Sequence, residues 1–370
     1  MFDNEIFRFA IITLTTFMFT ACIMPFIMKV AYHIGALDIP RTDEGNRHIH
    51  KRIIPKLGGL GIFAGFLFGY ILFGVHSIQM NAILIGSFII ILLGIIDDIK
   101  EVPAKFQLLG QVIAASIVVF YGNILLNNIT AFGFYFDFGI WAYPITLFFI
   151  VGCINIINFI DGLDGLSSGI SSIFFLTIGI IAFFQGKTAS LPILLTFIML
   201  GSTLGFLLHN FNPARIFAGQ AGSMFMGFII AIISLLGFKG AMLTSFLVPL
   251  IILAIPILDT LFAIIRRLLK KQAPFSADKE HTHHQILKMN FSQRNTVLII
   301  YFINILFSLA SIFYVLKDPF WGRIIYVVLF IIIVWFTMHT GIISEKASNK
   351  VKDLESKVMG KKNKKKKNKK

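Results

Sequence analysis

Residues 81–96 read NAILIGSFIIILLGII, sixteen residues without a charge, and Asp97 and Asp98 follow at once. A long apolar run bounded by charge is typical of a helix that crosses a lipid bilayer. The rest of the chain repeats this pattern, because 56% of its 370 residues are hydrophobic and only 14% are charged. Soluble domains carry about 25% charged residues. The sequence therefore predicts an integral membrane protein and excludes a soluble globular domain.

Apolar runs bounded by glycine, proline and charge divide the chain into eleven predicted transmembrane helices, an all-α polytopic architecture. The predicted spans are 6–28, 57–73, 81–96, 106–121, 140–157, 169–184, 189–208, 223–238, 241–265, 296–316 and 324–343. An odd number of spans places the two termini on opposite sides of the membrane. Residues 1–343 are expected to form a single transmembrane domain, and residues 344–370 a basic, disordered tail.

The positive charges predict the orientation. One side of the eleven spans carries 28 of the 33 lysines and arginines, and the other side carries five. Basic residues concentrate in cytoplasmic loops, so we expect an outer N-terminus and a cytoplasmic C-terminus. The last ten residues hold eight lysines and are expected to touch anionic lipid. The acidic clusters described next all fall on the predicted cytoplasmic side.

Asp97 and Asp98 end the third span, and Lys105 comes just before the fourth. Adjacent carboxylates at a helix end can bind a divalent cation or a cationic group, and a lysine offers a point charge for phosphate. Acidic residues at an inner membrane edge can equally mark topology without doing chemistry. The pair alone does not decide between these two interpretations.

The stretch 155–165, NIINFIDGLDG, is the most specific signal in the chain. Asn155 and Asn158 are three residues apart and so share a helix face. The glycines that follow let the backbone turn the carboxylates of Asp161 and Asp164 back toward that face. Hard oxygen ligands from Asn and Asp suit Mg²⁺, which substrate phosphate usually completes. A magnesium and phosphate site is therefore predicted at this helix end.

Two further loops carry weaker signals. In residues 217–223, FAGQAGS, small residues precede a predicted helix and expose N–H groups that can bind phosphate, although an ordinary capped loop fits equally well. The loop between spans nine and ten holds His281, His283 and His284. Imidazoles there can bind a transition metal, hydrogen-bond to a pyrophosphate or donate a proton, and a merely solvated loop is the alternative. Acidic neighbours favour the charged imidazole, which suits an anion better than a metal.

Together these motifs resemble one known family, the polyprenyl-phosphate N-acetylhexosamine-1-phosphate transferases. These multi-span membrane enzymes start lipid-linked glycan assembly, including teichoic acid linkage units and the O-antigen of lipopolysaccharide. The likeness extends over about residues 6–343. The matching motifs are PKLGG at 55–59, DD at 97–98 with Lys105 and Gln111, NFIDGLDG at 158–165, FAGQAGS at 217–223, PILDT at 256–260 and HTHH at 281–284. The HTHH form is closer to the N-acetylglucosamine-phosphate branch than to the pentapeptide branch of this superfamily.

The resemblance implies that an N-acetylhexosamine-1-phosphate, expected to be GlcNAc-1-phosphate, passes from a UDP-sugar to undecaprenyl phosphate with release of UMP and the help of Mg²⁺ or Mn²⁺. The implied metal ligands are Asn158, Asp161 and Gln220, with Asp164 supporting their loop. Asp97 and Asp98 are expected to position or deprotonate the lipid phosphate. The remaining implied site residues, which hold phosphates, pyrophosphate and sugar, are Lys51, Arg52, Lys105, Asn155, Arg266, His281, His283 and His284.

Position 220 departs from the family pattern, which has an Asp there as a metal ligand. This chain has Gln220, preceded by Ala218 where Met is usual. An amide oxygen can bind Mg²⁺, but it brings no charge and reaches one methylene further. Because Mg²⁺ demands near-ideal octahedral geometry at about 2.0–2.1 Å, we expect weaker metal binding and slower turnover.

Two other functions compete with the transferase. A transporter or lipid flippase would also have many spans and charged residues, although transporter sites lie near the bilayer midplane and these polar residues gather at one face. A non-catalytic relative that binds lipid phosphate or a UDP-sugar would account for Gln220. The predicted partners are a UDP-N-acetylhexosamine, undecaprenyl phosphate and membrane lipids, with a homodimer compatible with the resemblance and no nucleic acid.

Overall fold

The computed structural model describes residues 2–39, 52–131, 134–186, 190–239, 247–269, 286–287, 291–316 and 319–339. The longer helices in these ranges are α1 (Phe2–Ile34), α2 (Gly58–Phe73), α3 (Ile78–Ile99), α4 (Ala104–Ser116), α5 (Ala142–Ile160), α6 (Leu166–Phe184), α7 (Leu191–Asn210), α8 (Gly219–Lys239), α9 (Leu247–Ile252), α10 (Ala254–Leu269), α11 (Gln293–Leu316) and α12 (Pro319–His339). A π-helix, Ile117–Tyr121, continues α4, and a 3-10 turn, Gly139–Trp141, precedes α5. Two short two-stranded antiparallel sheets pair β1 (Leu37–Asp38) with β2 (Ile54–Pro55), and β3 (Asn128–Ala131) with β4 (Phe134–Asp137).

The predicted all-α, polytopic membrane class is confirmed. Among the described residues, eight helices are long and apolar enough to cross a membrane. Three shorter apolar helices, Gly58–Phe73, Ala254–Ile264 and Phe320–Ile332, overlap the remaining three predicted spans. The number of actual crossings and their orientation stay predictions.

The ninth predicted span, 241–265, is not one continuous helix where the structure describes it. It breaks at Leu253, between α9 and α10. Pro256 has no N–H with which to bond the carbonyl of Ile252 four residues earlier. The side chain of Asn304 on α11 supplies the missing donor, with its Nδ2 2.8 Å from that carbonyl oxygen. The break is therefore stabilised by a contact from a distant helix.

Helix α8 forms the centre of the bundle, in contact with α2, α3, α5, α6 and α7. Glycines let these helices approach backbone to backbone. A Cβ added at Gly94 of α3 would lie 2.2 Å from the Cα of Ala221, and one at Gly227 would lie 2.6 Å from the carbonyl oxygen of Cys153 on α5. Small residues at such crossings are the usual basis of helix packing in membranes. This packing fixes the first turn of α8 between the ends of its neighbours.

Candidate active site

A cavity of about 570 Å³ lies where oppositely directed helices end together. The C-terminal ends of α3, α5 and α7 meet the N-terminal ends of α4, α8 and α11 there. Its polar lining combines six carboxylates (Asp38, Asp97, Asp98, Glu101, Asp161, Asp164) with five amides (Gln107, Asn158, Asn210, Gln220, Gln293). Among the described residues of this lining, Lys56 supplies the positive charge. The Asp97-Asp98 pair and the loop after Asn158 therefore share one cavity, as a common site requires.

Asp97 closes the turn between α3 and α4. Its Oδ1 accepts hydrogen bonds from the backbone N of Val102, at 2.7 Å, and from Nε2 of Gln107, at 2.8 Å. Gln107 also donates to the carbonyl of Val102 at 3.1 Å. The carboxylate is thus held in place at the edge of the cavity by neighbours close in sequence.

Asp98 caps the N-terminus of α8. Its Oδ1 accepts from the backbone N of Gln220 at 2.9 Å, and its Oδ2 accepts from that of Ala221 at 3.2 Å. A carboxylate at a helix N-terminus is stabilised by the helix dipole and by the otherwise unpaired amides. Gly219 makes this approach possible, because its φ is +69° and a Cβ there would lie 2.4 Å from Oδ2 of Asp98. The N–H groups of Gln220 and Ala221, in the stretch where the sequence suggested phosphate binding, are therefore already hydrogen-bonded to Asp98.

The end of α5 and the loop after it hold their polar groups through contacts with α6, with α8 and with the segment that follows α7. Oδ1 of Asn158 accepts from Oγ of Ser223 on α8 at 2.7 Å, and Oδ1 of Asp161 accepts from Oγ of Ser167 on α6 at 2.5 Å. Oδ2 of Asp164 accepts from Nδ2 of Asn212 at 2.9 Å, among other donors. The turn predicted from the glycines is present, and each acceptor is oriented by a hydroxyl or an amide.

Gly165 ends this loop with a φ of +81°. Its N–H donates to Oδ1 of Asn210 at 3.1 Å, and that oxygen also accepts from Oγ of Ser168 at 2.8 Å. Nδ2 of Asn210 in turn donates to the carbonyl of Ile216 at 2.9 Å. Asn210 thereby joins the loop after α5 to the segment that leads into α8.

Burial raises the pKa of Asp161 to about 6. The hydrogen bond from Ser167 opposes this rise, and the neighbouring charge of Asp164 adds to it. A carboxyl group held in poorly solvated surroundings favours its neutral form unless a cation or hydrogen-bond donor compensates. Asp161 is therefore a group whose charged form a bound cation would strongly stabilise.

The residues present fit a magnesium ion that substrate phosphates complete. Oε1 of Gln220 is buried at the cavity without a hydrogen-bond partner, and an unsatisfied buried oxygen is costly unless a donor or cation meets it. The described residues contain no cluster of three or more His, Cys, Asp and Glu side chains arranged to hold a metal. Mg²⁺ needs only one or two carboxylates together with phosphate and water oxygens. Asp161, Asn158 and Gln220 line the same cavity and offer a carboxylate and two amide oxygens of the kind that Mg²⁺ binds. That they bind it together stays a prediction.

Comparison with known proteins identifies the family. The profile of glycosyl transferase family 4 matches residues 80–238. The chain is 40% identical over 353 residues to the probable undecaprenyl-phosphate N-acetylglucosaminyl 1-phosphate transferase of Bacillus subtilis (strain 168), covering 94% of this chain and 96% of the relative. The chain belongs to the polyprenyl-phosphate N-acetylhexosamine-1-phosphate transferase family.

More distant members match over most of their length. The undecaprenyl-phosphate alpha-N-acetylglucosaminyl 1-phosphate transferase of Escherichia coli O157:H7 is 30% identical over 302 residues, covering 78% of each chain. The decaprenyl-phosphate N-acetylglucosaminephosphotransferase of Mycolicibacterium smegmatis is 30% identical over 322 residues, covering 79% of this chain and 78% of the relative. Membership in this transferase family favours an enzyme over a transporter.

Several residues that the resemblance implied lie outside the cavity lining. Lys105 is exposed, with its Nζ 5.1 Å from the centre of the Phe106 ring, and Arg52 is also exposed. Asn155 lies one helical turn before Asn158 and donates to Oε1 of Gln111 at 2.6 Å. Their contact with substrate stays a prediction. Those outside the described residues are Lys51, His281, His283 and His284, and of Arg266 only the backbone, in α10, is described.

The cavity also contains residues that sequence reasoning missed. Asp38 and Lys56 lie in it because β1 pairs with β2, and their side chains form an ion pair, with Nζ 3.3 Å from Oδ1. Asn210 and Gln293 line it as well, at the end of α7 and the start of α11. Their signal was a polar side chain at the end of an apolar run, the same signal that singled out Asn158. Lys56 lies in the PKLGG motif, but nothing in the sequence indicated its pairing with Asp38, since the strands that join them have only two residues each.

Proposed function

We propose that this protein transfers N-acetylglucosamine-1-phosphate from UDP-N-acetylglucosamine to undecaprenyl phosphate and releases UMP. The observation that carries the proposal is the acidic cavity at the helix ends, in a chain that is 40% identical to a relative named for this transfer. Its volume of about 570 Å³ is in the range of small-molecule sites. We further propose that the product begins a lipid-linked cell-surface glycan, of the teichoic acid or O-antigen kind.

In this reaction, an oxygen of the lipid phosphate attacks the phosphorus that bears the sugar. A new P–O bond forms there, and the bond from that phosphorus to the bridging oxygen of the diphosphate breaks. UMP leaves with the bridging oxygen and its electron pair. The lipid phosphate is already an anion at neutral pH, so the transfer needs no obligatory proton acceptor. Such transfers depend mainly on alignment and on neutralising charge.

The protein supplies the alignment through side chains that are themselves held. Ser167 orients Asp161, and Ser223 orients Asn158 through hydrogen bonds of 2.5 and 2.7 Å. Asp98 fixes the backbone of Gln220 at the start of α8. Asn158, Asp161 and Gln220 would hold Mg²⁺ or Mn²⁺, which when bound neutralises charge on the phosphate oxygens. The reacting phosphates would then meet a positive centre in a cavity that is otherwise acidic.

We place the cavity at the cytoplasmic face of a bacterial plasma membrane. Support comes from the basic residues, which in the predicted topology concentrate on the side of the membrane that also holds the cavity residues. UDP-sugars are cytoplasmic metabolites, and undecaprenyl phosphate presents its head group at the membrane surface. A site at the helix ends gives both substrates access to one cavity.

The test uses full-length protein purified in detergent, with undecaprenyl phosphate and either UDP-N-acetylglucosamine or UDP-N-acetylgalactosamine. We expect UMP and a lipid-linked sugar diphosphate in equal amounts, only with divalent metal present, and at a higher rate with UDP-N-acetylglucosamine. Release of UMP without a lipid product would contradict the transfer. A faster reaction with the galactosamine donor would correct the sugar but leave the reaction class intact.

A further inference from the structure

The ammonium group of Lys56 is well placed to bind an anion. Its Nζ lies 3.3 Å from Oδ1 of Asp38, and its side chain is 33% exposed, so it remains partly open to the cavity. An ammonium group has three N–H donors and can bind a second acceptor beside Asp38. Lys56 is thus anchored by one carboxylate while retaining capacity for another oxygen.

The backbone around Lys56 is fixed. Its N–H donates to the carbonyl of Ala36 at 3.0 Å, and the N–H of Phe217 donates to the carbonyl of Pro55 at 2.8 Å. The N–H of Gly58 returns a bond of 2.9 Å to the carbonyl of Phe217. The backbone that carries the Lys56 side chain is therefore held in place before a ligand binds. A pre-organised ammonium group loses less entropy on binding than one on a mobile loop.

The lysine lies beside the start of α8. A Cβ added at Gly219 would be 2.1 Å from the carbonyl oxygen of Lys56. Because Asp98 already accepts bonds from the N–H groups of Gln220 and Ala221, these two helix amides do not serve an incoming anion. In the described part of this lining, the positive charge available to an anion is that of Lys56.

We propose that Lys56 binds a phosphate group of one of the two substrates, a role that rests on the proposed function. The phosphate is either the monophosphate of the lipid or the diphosphate of the nucleotide sugar, which present the same oxygen acceptors. An anion that enters a cavity lined by six carboxylates is repelled unless fixed positive charge meets it. Lys56 supplies that charge from the protein itself.

The experiment measures binding rather than turnover, so it does not depend on the rate that Gln220 permits. Calorimetric titrations with Mg²⁺ present determine the Kd of full-length protein for UDP-N-acetylglucosamine and for undecaprenyl phosphate separately. Lys56→Met and Lys56→Gln should each weaken one of the two by about tenfold, the loss of a charge-assisted hydrogen bond, and Lys56→Arg should retain it. The ligand that weakens identifies the phosphate. Lys29→Met, which removes an exposed lysine of α1 outside this lining, should bind both like the wild type.

A purely structural role for Lys56 would be to neutralise Asp38. In that case the double variant Asp38→Asn/Lys56→Met would recover normal binding, whereas a phosphate contact leaves it about tenfold weaker. Recovery in the double variant, or unchanged Kd values in Lys56→Met, would overturn the inference alone. Wild-type protein that binds neither ligand would overturn the inference and the proposed function together.

Discussion

Replacing Gln220 with Asp tests whether residue 220 binds a metal ion in the cavity. The Gln220 side chain ends in a buried amide oxygen that has no hydrogen-bond partner and faces the acidic cavity. Gln220→Asp substitutes a charged oxygen on a side chain one methylene shorter. Without metal, the new carboxylate joins Asp98 and Asp161 in the same cavity, so the free protein should become less stable. With Mg²⁺, the same charge should tighten metal binding and speed turnover.

The size of the effect follows from the ligands already present. Removing a side chain that only hydrogen-bonds to a metal ligand weakens metal binding by about 10- to 100-fold. A charged side chain that binds the metal directly should therefore contribute at least as much. We therefore expect the Mg²⁺ concentration for half-maximal activity to fall at least tenfold. At saturating Mg²⁺, a tenfold tighter Kd adds about 1.4 kcal/mol to the free energy of unfolding.

Two measurements check this prediction. Thermal unfolding with and without Mg²⁺ should show a larger Mg²⁺-induced rise in Tm for Gln220→Asp than for wild type, and UMP release should rise across a Mg²⁺ titration. Gln220→Glu adds the charge while keeping the length, and so separates charge from reach. Gln79→Asp adds a carboxylate at the opposite end of α3 and serves as the control. Equal activity and equal Mg²⁺ dependence in wild type and Gln220→Asp would refute the reasoning.

Three further sets of substitutions test how the helix ends and helix contacts are held. Asp98→Ala removes the cap of α8, so it should lower the free energy of unfolding by about 1 kcal/mol, measured as a lower Tm, and should also lower kcat. An unchanged kcat would contradict the positioning role of Asp98. Gln111→Leu and Asn155→Leu should each lower the free energy of unfolding in urea by about 1–3 kcal/mol, and the double variant should lose less than the sum of the two. Full additivity would mean that the two amides do not act together. Gly59→Ala places a Cβ 2.1 Å from the backbone N of Gly222 and should lower the free energy of unfolding by about 1–3 kcal/mol or more, whereas Gly152→Ala, with no atom within 4 Å of its Cβ, should be tolerated. Equal Tm values for both variants would contradict the close packing.

The membrane fold was predictable because hydropathy is a local property of composition. Each apolar run predicts a helix without information from the rest of the chain. Each predicted span overlaps an apolar helix in the structure. The loop after Asn158 was predictable for a similar reason, since its helix face and its glycines lie within a few residues. In both cases the sequence neighbours that decide the structure are also the spatial neighbours.

The contacts that complete the cavity were not predictable, because they join distant parts of the chain. Nothing near Asp98 in sequence indicates that it caps a helix that begins at Gly219. The pairing of Lys56 with Asp38 depends on two-residue strands that carry no periodic pattern. Pro256 marked a weak point in the ninth span, but only the contact from Asn304 explains how its break is stabilised.

We propose that the carboxylates at this end of the bundle form the phosphoryl-transfer site. Asp161→Asn tests it most directly, because it keeps the shape of the side chain and removes only its charge. Mass spectrometry of the lipid extract should detect undecaprenyl diphosphate N-acetylglucosamine from wild type, from Gln220→Asp and from the Gln79→Asp control, and none from Asp161→Asn. Product formed by Asp161→Asn at the wild-type rate would contradict the account.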